Sequence, residues 1–233
     1  MTFDQILKRA KLLRRYKRFL ADVELADGTI LTIHCPNSGS MRSCSDPGSP
    51  VCYSTSGNPN RKYPHTLEMV RSGATWIGVN TSRTNALVAE AIEQGRITQL
   101  GEFDAIRKEV KTSDGSRLDL MLEQGDRKIY IEVKNCSLVI GEQALFPDAV
   151  TSRGTKHLLE LARLVEHGHR GVIFYLVQRM DARVFSAAAE IDPLYASTLA
   201  EVARRGVEVL AYQAAVTPES IEVTAELPVN LGS

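Results

Sequence analysis

The residues with the clearest chemical potential are Asp119, Glu132 and Lys134, which fall within two short stretches of alternating sequence. In residues 117–123 and again in residues 128–135, apolar side chains alternate with polar ones, which predicts two β-strands joined by a polar turn. Side chains two positions apart share a face of a strand. We therefore expect Glu132 and Lys134 to lie together, with Asp119 on the neighbouring strand.

Three such charges at one sheet edge suit a magnesium site. Carboxylate oxygens hold Mg²⁺ with several waters attached, and a nearby ammonium can orient or deprotonate a water, or stabilise charge that develops on a phosphorus centre. Asp119 lies on a leucine-rich strand, where an unpaired carboxylate is costly unless a cation offsets it. We expect the carboxylates of Asp119 and Glu132 to be about 3–6 Å apart, within reach of one cation. A solvated sheet face is the alternative interpretation.

The charge distribution divides the chain into two parts. Overall, 28 basic residues balance 28 acidic ones, but residues 1–80 hold 11 Lys or Arg against 6 Asp or Glu, so that this part is net +5 and the remainder net −5. A basic part joined to an acidic part suits a nucleic-acid-binding surface combined with a metal-binding carboxylate cluster. Solvated surface alone could give the same asymmetry.

The cysteines and the hydropathy restrict the class of protein. Cys35, Cys44, Cys52 and Cys136 lack the close pairing of a zinc site, and free thiols in a reducing cytoplasm are the simplest account. No apolar run approaches membrane-spanning length, and the first residues lack the apolar core of a signal peptide. We predict a soluble, cytoplasmic protein that binds neither zinc nor an organic cofactor.

The first twenty residues are strongly basic, with seven Lys or Arg and one acid, Asp4. Tyr16 and Phe19 are interleaved with this charge, so the segment could neutralise phosphates while its rings stack on bases. The predicted nucleic-acid-binding residues here and in a later polar loop are Arg14, Arg15, Lys17, Arg18, Arg61 and Lys62. The alternative is a solvated strand and turn whose apolar side chains pack inward.

Short strand signals dominate the first third of the chain. The Asp27-Gly28 pair predicts a hairpin turn, and proline, asparagine and glycine mark a compact loop at residues 35–41. About five short strands in so few residues fit a small barrel better than a sandwich. We predict a small all-β OB-type barrel for residues 1–80, a fold that exposes loops and one strand face to nucleic acid.

From residue 81 onward, helix and strand signals alternate. Capping residues open a helix, a charged edge-like strand follows, and the two central strands come next. The later predicted elements are a helix at 151–167, an apolar strand at 171–178, a helix at 192–205 and a strand at 207–212. We predict an α/β domain for residues 81–233, with a mixed sheet flanked by helices.

This order, with Asp119 separated by twelve residues from Glu132-x-Lys134, resembles the PD-(D/E)xK nuclease superfamily. The resemblance implies a restriction-endonuclease-like fold for the second domain. In that superfamily the first core helix often carries a glutamate that reaches the metal, which makes Glu90 a candidate third carboxylate. A surface glutamate paired with a nearby arginine is the alternative.

A more specific resemblance, which spans nearly the whole chain, is to the sugar fermentation stimulation protein A (SfsA) family. The motifs that carry it are Tyr16-Lys-Arg-Phe-Leu-Ala-Asp-Val, His34-Cys-Pro-Asn-Ser-Gly-Ser-Met, Arg61-Lys-Tyr-Pro-His65, Val79-Asn-Thr, Glu90-Ala-Ile, Arg117-Leu-Asp119, Ile131-Glu-Val-Lys134, Phe146-Pro-Asp-Ala-Val-Thr-Ser-Arg-Gly154 and Lys156-His-Leu158. The resemblance implies an N-terminal OB-fold, a C-terminal nuclease-like domain and DNA binding linked to sugar (maltose) metabolism genes.

We predict a loop at residues 143–148, after the Glu132 strand, and expect this loop and the start of the next helix to lie over the same site. Arg153, Lys156 and His157 stand near the start of a predicted helix, and a helix N-terminus favours anions, so these side chains could contact phosphate. His157 could instead be a helix residue that is hydrogen-bonded to a neighbour.

Two functions from different classes remain open. In the first, Asp119, Glu132 and the Val133 carbonyl bind Mg²⁺ or Mn²⁺, Glu90 completes the site, and Lys134 assists a water that attacks phosphorus. In the second, the protein is a non-catalytic DNA-binding regulator whose nuclease-like domain is a scaffold. Both predict a nucleic-acid partner, most simply DNA, and no membrane.

Overall fold

The computed structural model describes residues 1–112 and 116–232, and its first domain is a β-barrel. The strands are β1 (Lys8–Tyr16), β2 (Leu20–Glu24), β3 (Ile30–His34), β4 (Pro50–Thr55), β5 (His65–Ser72) and β6 (Thr75–Gly78). Their order is β3-β2-β1-β4-β5-β6, and a parallel contact between β3 and β5 closes the sheet. Leu12, Val23, Ile33 and Leu67 are among the buried residues of its core.

The basic N-terminal segment is part of this barrel. Strand β1 pairs with β2 on one side and with β4 on the other, so the backbone of residues 8–16 is held within the sheet. Leu12 is buried, whereas Phe19 is half exposed. The predicted Asp27-Gly28 hairpin is confirmed, with β2 and β3 antiparallel and Gly28 at a φ of +84°, which favours glycine.

The second domain is an α/β unit, as predicted. Its elements are α1 (Thr84–Glu93), β7 (Ala105–Lys111), β8 (Arg117–Gln124), β9 (Arg127–Cys136), β10 (Leu138–Ile140), β11 (Gln143–Phe146), α2 (Ser152–Glu166), β12 (Arg170–Val177), β13 (Val184–Ala187), α3 (Pro193–Arg204), β14 (Glu208–Val216), β15 (Ile221–Glu226) and β16 (Val229–Asn230). The main sheet has the order β15-β14-β12-β9-β8-β7. It is mixed, because β9, β12 and β14 run parallel while β7, β8 and β15 pair antiparallel.

The helices begin and end where the local sequence directs. Thr151 caps α2 by accepting a hydrogen bond from the Gly154 amide, and Asp192 caps α3 in the same way, with a proline in the first turn. Gly206 follows α3 with a φ of +98°. Helix α1 packs on one face of the main sheet, and α2 and α3 cover the other.

Two features of the fold differ from expectation, one in each predicted domain. Residues 143–146, predicted as a loop, form β11 of a second sheet with the order β10-β11-β13-β16. Chain residues 1–3 also leave the barrel: Thr2 bridges to Ser220, and the amide of Phe3 donates to the carbonyl of Glu219. The barrel therefore spans β1 to β6, and the predicted boundary at residue 80 falls between β6 and α1.

The structure can be compared with the predictions of free thiols and of no membrane-spanning segment. All four cysteines are buried free thiols, and burial raises the pKa of Cys52 to about 11 and that of Cys136 to about 12. Among the helices of the described residues, none is both long and apolar enough to cross a membrane.

Candidate active site

Asp119 and Glu132 lie on the adjacent antiparallel strands β8 and β9. The last pair of the β8–β9 ladder is Leu120 with Ile131, and Asp119 and Glu132 occupy the next positions beyond it. The Asp119 carboxylate takes over one backbone hydrogen bond there, because its Oδ2 accepts from the Val133 amide at 2.8 Å. The predicted placement of the two acids on neighbouring strands is therefore observed.

Glu132 is almost completely buried, with 3% of its side chain exposed. Its Oε1 is contacted by Lys134 Nζ at 2.5 Å and by His157 Nδ1. Its Oε2 is buried and has no hydrogen-bond partner among the described residues. Burial alone would raise the pKa of Glu132, but the hydrogen bond to His157 and the charge of Lys134 outweigh it and lower the pKa. The site therefore holds an ionised carboxylate with one bare oxygen.

His157 is a partner of Glu132 from α2. Arg153 Nε donates to His157 Nε2 at 3.4 Å. A guanidinium only donates, so Nε2 is the acceptor and Nδ1 carries the proton that goes to Glu132. Both ring nitrogens are thus engaged inside the protein, which matches the predicted alternative of a histidine bonded to a neighbour. Arg153 and Lys156 are exposed on the same helix and remain accessible to an anion.

The pKa of Asp119 is shifted in the opposite direction to that of Glu132. Burial and the charge of Glu132 raise its pKa, and the hydrogen bonds from the Val133 amide and Asn85, with the charge of Lys134, only partly offset them. Asn85 Nδ2 donates to Asp119 Oδ1 at 2.8 Å from the first turn of α1. Sequence reasoning missed Asn85; its position next to the capping residues of α1 was the available signal.

Glu90 lies elsewhere on α1. Its carboxylate is 2.7 Å from the N-terminal ammonium of Met1, and 39% of its side chain is exposed. The two residues Asn85 and Glu90 are more than one turn apart, so the helix that brings Asn85 to Asp119 turns Glu90 towards the N-terminus. The described residues contain no group of three His, Cys, Asp or Glu arranged to hold a metal. The first helix thus contributes an amide to the site and not a third carboxylate.

A cleft of about 620 Å³ opens beside these residues. Asn85, Val133 and Lys134 form part of its floor, the segment at residues 146–151 forms one wall, and the barrel loop at residues 37–40 forms the other. The carboxylates of Asp119 and Glu132 are connected to this floor by their bonds to Asn85 and Lys134. The cleft joins the two domains at the predicted site.

A buried amide network holds the end of β9. Gln178 follows β12, and its Nε2 donates to the Asn135 side chain at 2.5 Å and to Thr84 Oγ1 at 3.3 Å. Asn135 is the residue after Lys134, and Thr84 begins α1. The network therefore fixes the backbone on either side of the cleft floor, and the sequence analysis did not identify it.

The predicted basic residues of the barrel have different environments. Arg14 pairs with Asp22 at 2.8 Å although 70% of its side chain is exposed. Arg15 donates to the carbonyls of Asn37 at 2.6 Å and Gly39 at 2.8 Å, so its guanidinium supports the barrel loop. The other four predicted cations, Lys17, Arg18, Arg61 and Lys62, are exposed.

Lys17 and Arg18 form the turn after β1. Both have a positive φ, 49° and 64°. Arg18 also lines the cleft. Arg61 and Lys62 lie in the loop before β5, where Arg61 lines a separate cavity and Lys62 lies 5.6 Å from the Tyr63 ring centroid. The structure thus brings Arg18 to the cleft and leaves Arg61 and Lys62 outside its lining.

Two family models match the chain, one for each domain. The model described as "SfsA N-terminal OB domain" matches residues 13–79, and the model described as "Sugar fermentation stimulation protein RE domain" matches residues 82–220. The two matches meet between β6 and α1. They confirm the OB-type barrel and the resemblance given by the sequence motifs.

Proteins of known sequence and structure are similar over the full length. The sugar fermentation stimulation protein homolog of Desulfotalea psychrophila is 56% identical over 223 residues, covering 96% of this chain and 94% of its own. That of Geobacter sulfurreducens is 50% identical over 232 residues, covering 100% of both chains. The structure of Pyrococcus furiosus SfsA in complex with Ca²⁺ superposes with a TM-score of 0.89 at 25% identity, covering 99% of this chain and 98% of that one. The chain belongs to the sugar fermentation stimulation protein (SfsA) family.

Proposed function

We propose that this protein is a divalent-cation-dependent phosphodiesterase that acts on nucleic acid. Asp119, Glu132 and the Val133 carbonyl are the proposed metal ligands, and Lys134 is the proposed cation at the scissile phosphate. Mg²⁺ or Mn²⁺ is the proposed metal.

The observation that carries this proposal is the bare Oε2 of Glu132. A buried carboxylate oxygen without a partner is costly, and nearly all buried polar atoms in folded proteins have one. A second carboxylate, Asp119, lies on the adjacent strand and is bonded to the amide of Val133, the residue after Glu132. The charge of Glu132 raises the pKa of Asp119. Two crowded acids with one unsatisfied oxygen favour a cation between them.

The donor set fits a hard cation. Carboxylate and carbonyl oxygens suit Mg²⁺, which is commonly bound through one or two carboxylates and keeps several waters. Asp119 and Glu132 supply two such groups, and the Val133 carbonyl supplies a third oxygen without a third acid. Glu90 is not included, because its carboxylate pairs with the N-terminal ammonium. The related Pyrococcus furiosus protein was solved with Ca²⁺, which supports a divalent cation in this family.

The surrounding residues have defined roles in this reaction. The bound metal would polarise the phosphoryl oxygen and lower the pKa of a water. Lys134 carries a positive charge at the cleft floor, where it can stabilise charge that develops on the phosphate. His157 keeps Oε1 of Glu132 occupied, and Asn85 orients Asp119, so the free oxygens are held in fixed positions.

The second candidate is DNA binding without cleavage, in a regulator of sugar metabolism genes. The exposed cations Lys17 and Arg18 at the edge of the cleft favour nucleic-acid binding under either candidate. A crowded carboxylate pair favours the enzyme, because acids that face a polyanion weaken binding unless a metal neutralises them. We place either activity in the cytoplasm, where the four free thiols would stay reduced.

The test combines cation binding with cleavage. Isothermal titration with Mg²⁺, Mn²⁺ and Ca²⁺ should detect one site in the wild type and none in Asp119→Asn or Glu132→Gln. Glu90→Gln is the matched control, since it removes a carboxylate from α1 away from the site, and it should bind the cation as the wild type does.

Lys134→Ala separates binding of the metal from chemistry. It should retain the cation and lose cleavage of labelled DNA and RNA in Mg²⁺ or Mn²⁺, because its role begins as charge develops. Lys128→Ala, an exposed lysine on the same strand, should cleave normally. Wild-type protein that binds no divalent cation and cuts no substrate would refute the enzyme and leave the DNA-binding candidate.

A further inference from the structure

The barrel loop at residues 36–43, which we call the roof loop, is fastened to the second domain at three points. Thr81 Oγ1 donates to the Pro36 carbonyl at 3.0 Å, and the Met41 amide donates to Asp148 Oδ2 at 3.0 Å. Ser43 Oγ donates to the Ser137 carbonyl, also at 3.0 Å. Both ends and the middle of the loop are therefore tied to residues that surround the proposed active site.

Two further contacts stiffen the roof loop. Arg15 holds it from the barrel side through the carbonyls of Asn37 and Gly39. On the other side, the backbone at Gly39 is so close to Asp148 that a Cβ at this position would lie 2.5 Å from Oδ2. The two walls of the cleft meet here without space for a side chain. Separating them would break the bond from Met41 and the packing of Gly39 together.

The size of the cleft suits a small ligand. Its volume is about 620 Å³. Pockets that bind drug-sized molecules have volumes of roughly 300–1,000 Å³. One or two nucleotides are molecules of that size. To admit a duplex, the roof loop and the wall at residues 146–151 would have to move apart, which their contacts at Met41, Gly39 and Asp148 oppose.

The lining supplies few charges and many neutral polar groups. Arg15 is bonded to carbonyls of the roof loop and Lys134 to Glu132, so within the described lining Arg18 is the cation whose guanidinium is not engaged. Duplex binding relies on several neutralised phosphates, whereas an unpaired strand exposes sugar and base edges to hydrogen bonding. The neutral polar residues of the lining include Ser38, Ser40, Thr81, Asn135 and Ser137. Of these, Thr81 already donates to the Pro36 carbonyl, and the Asn135 side-chain oxygen accepts from Gln178.

We propose that the cleft admits a single unpaired nucleic-acid strand and excludes duplex. This inference rests on the proposed function, since it names the substrate class of the same site. The strand would pass beneath the roof loop with its phosphate towards Lys134. Duplex nucleic acid would enter only through an unpaired end or extension.

The first test compares three substrates made from one labelled oligonucleotide: the free strand, its blunt duplex, and a duplex with an unpaired extension. Binding is measured by fluorescence anisotropy in EDTA and in Ca²⁺, and cleavage in Mg²⁺ and Mn²⁺. The free strand and the extension should bind at least about tenfold more tightly than the blunt duplex, a difference of about 1.4 kcal/mol. Equal or tighter binding of the blunt duplex overturns the inference.

The second test places a large side chain in the cleft. Ala149 is exposed and lines the cleft, whereas Ala74 is exposed in the turn between β5 and β6 and does not. Ala149→Trp should weaken single-strand binding about tenfold or more, and the matched Ala74→Trp should leave it unchanged. Asp148→Ala, which releases the Met41 amide, should raise the duplex-to-single-strand ratio of affinities.

The two proposals fail separately. If no substrate is cut but the free strand binds and Ala149→Trp abolishes that binding, the phosphodiesterase fails and the single-strand site stands. If blunt duplex is cut internally as fast as the free strand, the phosphodiesterase stands and the single-strand site fails. Unchanged single-strand binding in Ala149→Trp also overturns the single-strand site.

Discussion

Gln178 of the second domain packs directly against Gly78 of the barrel, and the Gly78 amide donates to the Gln178 carbonyl at 2.9 Å. A Cβ at residue 78 would overlap the Gln178 side-chain oxygen. The Gln178 side chain is fully buried, and its Nε2 is bonded to Asn135, next to Lys134. The close approach at Gly78 is thus connected, through Gln178 and Asn135, to the strand residue beside Lys134.

Gly78→Ala should therefore destabilise the protein. Overpacking of this kind costs about 1–3 kcal/mol, and any shift of Gln178 also disturbs its bond to Asn135. The free energy of unfolding from urea denaturation measures the effect. Gly57→Ala is the matched control, because a Cβ at residue 57 meets nothing within 4 Å, and it should change stability by less than about 0.5 kcal/mol. Equal stability of both variants would contradict the packing argument.

Asp119→Asn should stabilise the metal-free protein. Burial and the charge of Glu132 disfavour the ionised Asp119, and the substitution removes that charge. Differential scanning calorimetry in EDTA should give a higher Tm, with about 2–4 °C for each kcal/mol gained. The same variant should lose the rise in Tm that Mg²⁺ or Mn²⁺ gives to the wild type. A lower Tm in EDTA would mean that the bonds from Val133 and Asn85 outweigh the repulsion.

Asp22 should make the stability of the barrel depend on pH. Burial alone would raise its pKa, but the hydrogen bonds from Thr32, Arg14 and Tyr16 outweigh it, so the pKa of the folded state lies below that of an unfolded aspartate, about 3.9. Stability from this carboxylate is then fully present above pH 4 and is lost as the pH falls through the folded pKa.

The comparison is between wild type and Asp22→Asn. The difference in unfolding free energy between them should be constant near neutral pH and should shrink below about pH 4. Asp46→Asn, at an exposed site, serves as the control and should show a small difference throughout. If the difference in unfolding free energy between wild type and Asp22→Asn grew as the pH fell, it would contradict a lowered pKa of Asp22.

Lys17 and Arg18, in the turn between β1 and β2, should contribute to the salt dependence of nucleic-acid binding. Replacing Lys17 and Arg18 with Gln should reduce the slope of log K against log salt by about 0.7 for each lost contact to a single strand. Replacing the exposed Arg127 and Lys128, at the start of β9, should leave the slope unchanged. Arg15→Gln should instead lower stability, because Arg15 supports the roof loop. Equal slopes for both double variants would remove Lys17 and Arg18 from the interface.

The strand chemistry of the site could be predicted from sequence, and its helix contributions could not. Alternation alone places Glu132 beside Lys134, since that periodicity is a property of any strand. Helical periodicity identifies the buried face of α1, but not which turn reaches the end of the sheet. That depends on where the helix starts and how it packs, and it selects Asn85 and not Glu90.

Two other differences have similar physical causes. Strands β10, β11, β13 and β16 have only two to four residues each, too short for a periodic signal, and β11 pairs with a strand some forty residues away. Arg15 and Arg18 are both arginines of the basic N-terminal segment, so the sequence does not distinguish them. In the structure, the guanidinium of Arg15 is bonded to the roof loop, whereas Arg18 lines the cleft. Only the fold of that loop distinguishes them.

The hydrophobic core shared between the domains has a consequence for how the chain folds. Cys52 and Met69 of the barrel belong to the same buried cluster as Leu87 and Val88 of α1 and the apolar residues of the main sheet. Cutting the chain between β6 and α1 would expose that cluster on both fragments. The two domains should therefore unfold in a single cooperative transition, and neither should persist as a stable module when expressed alone.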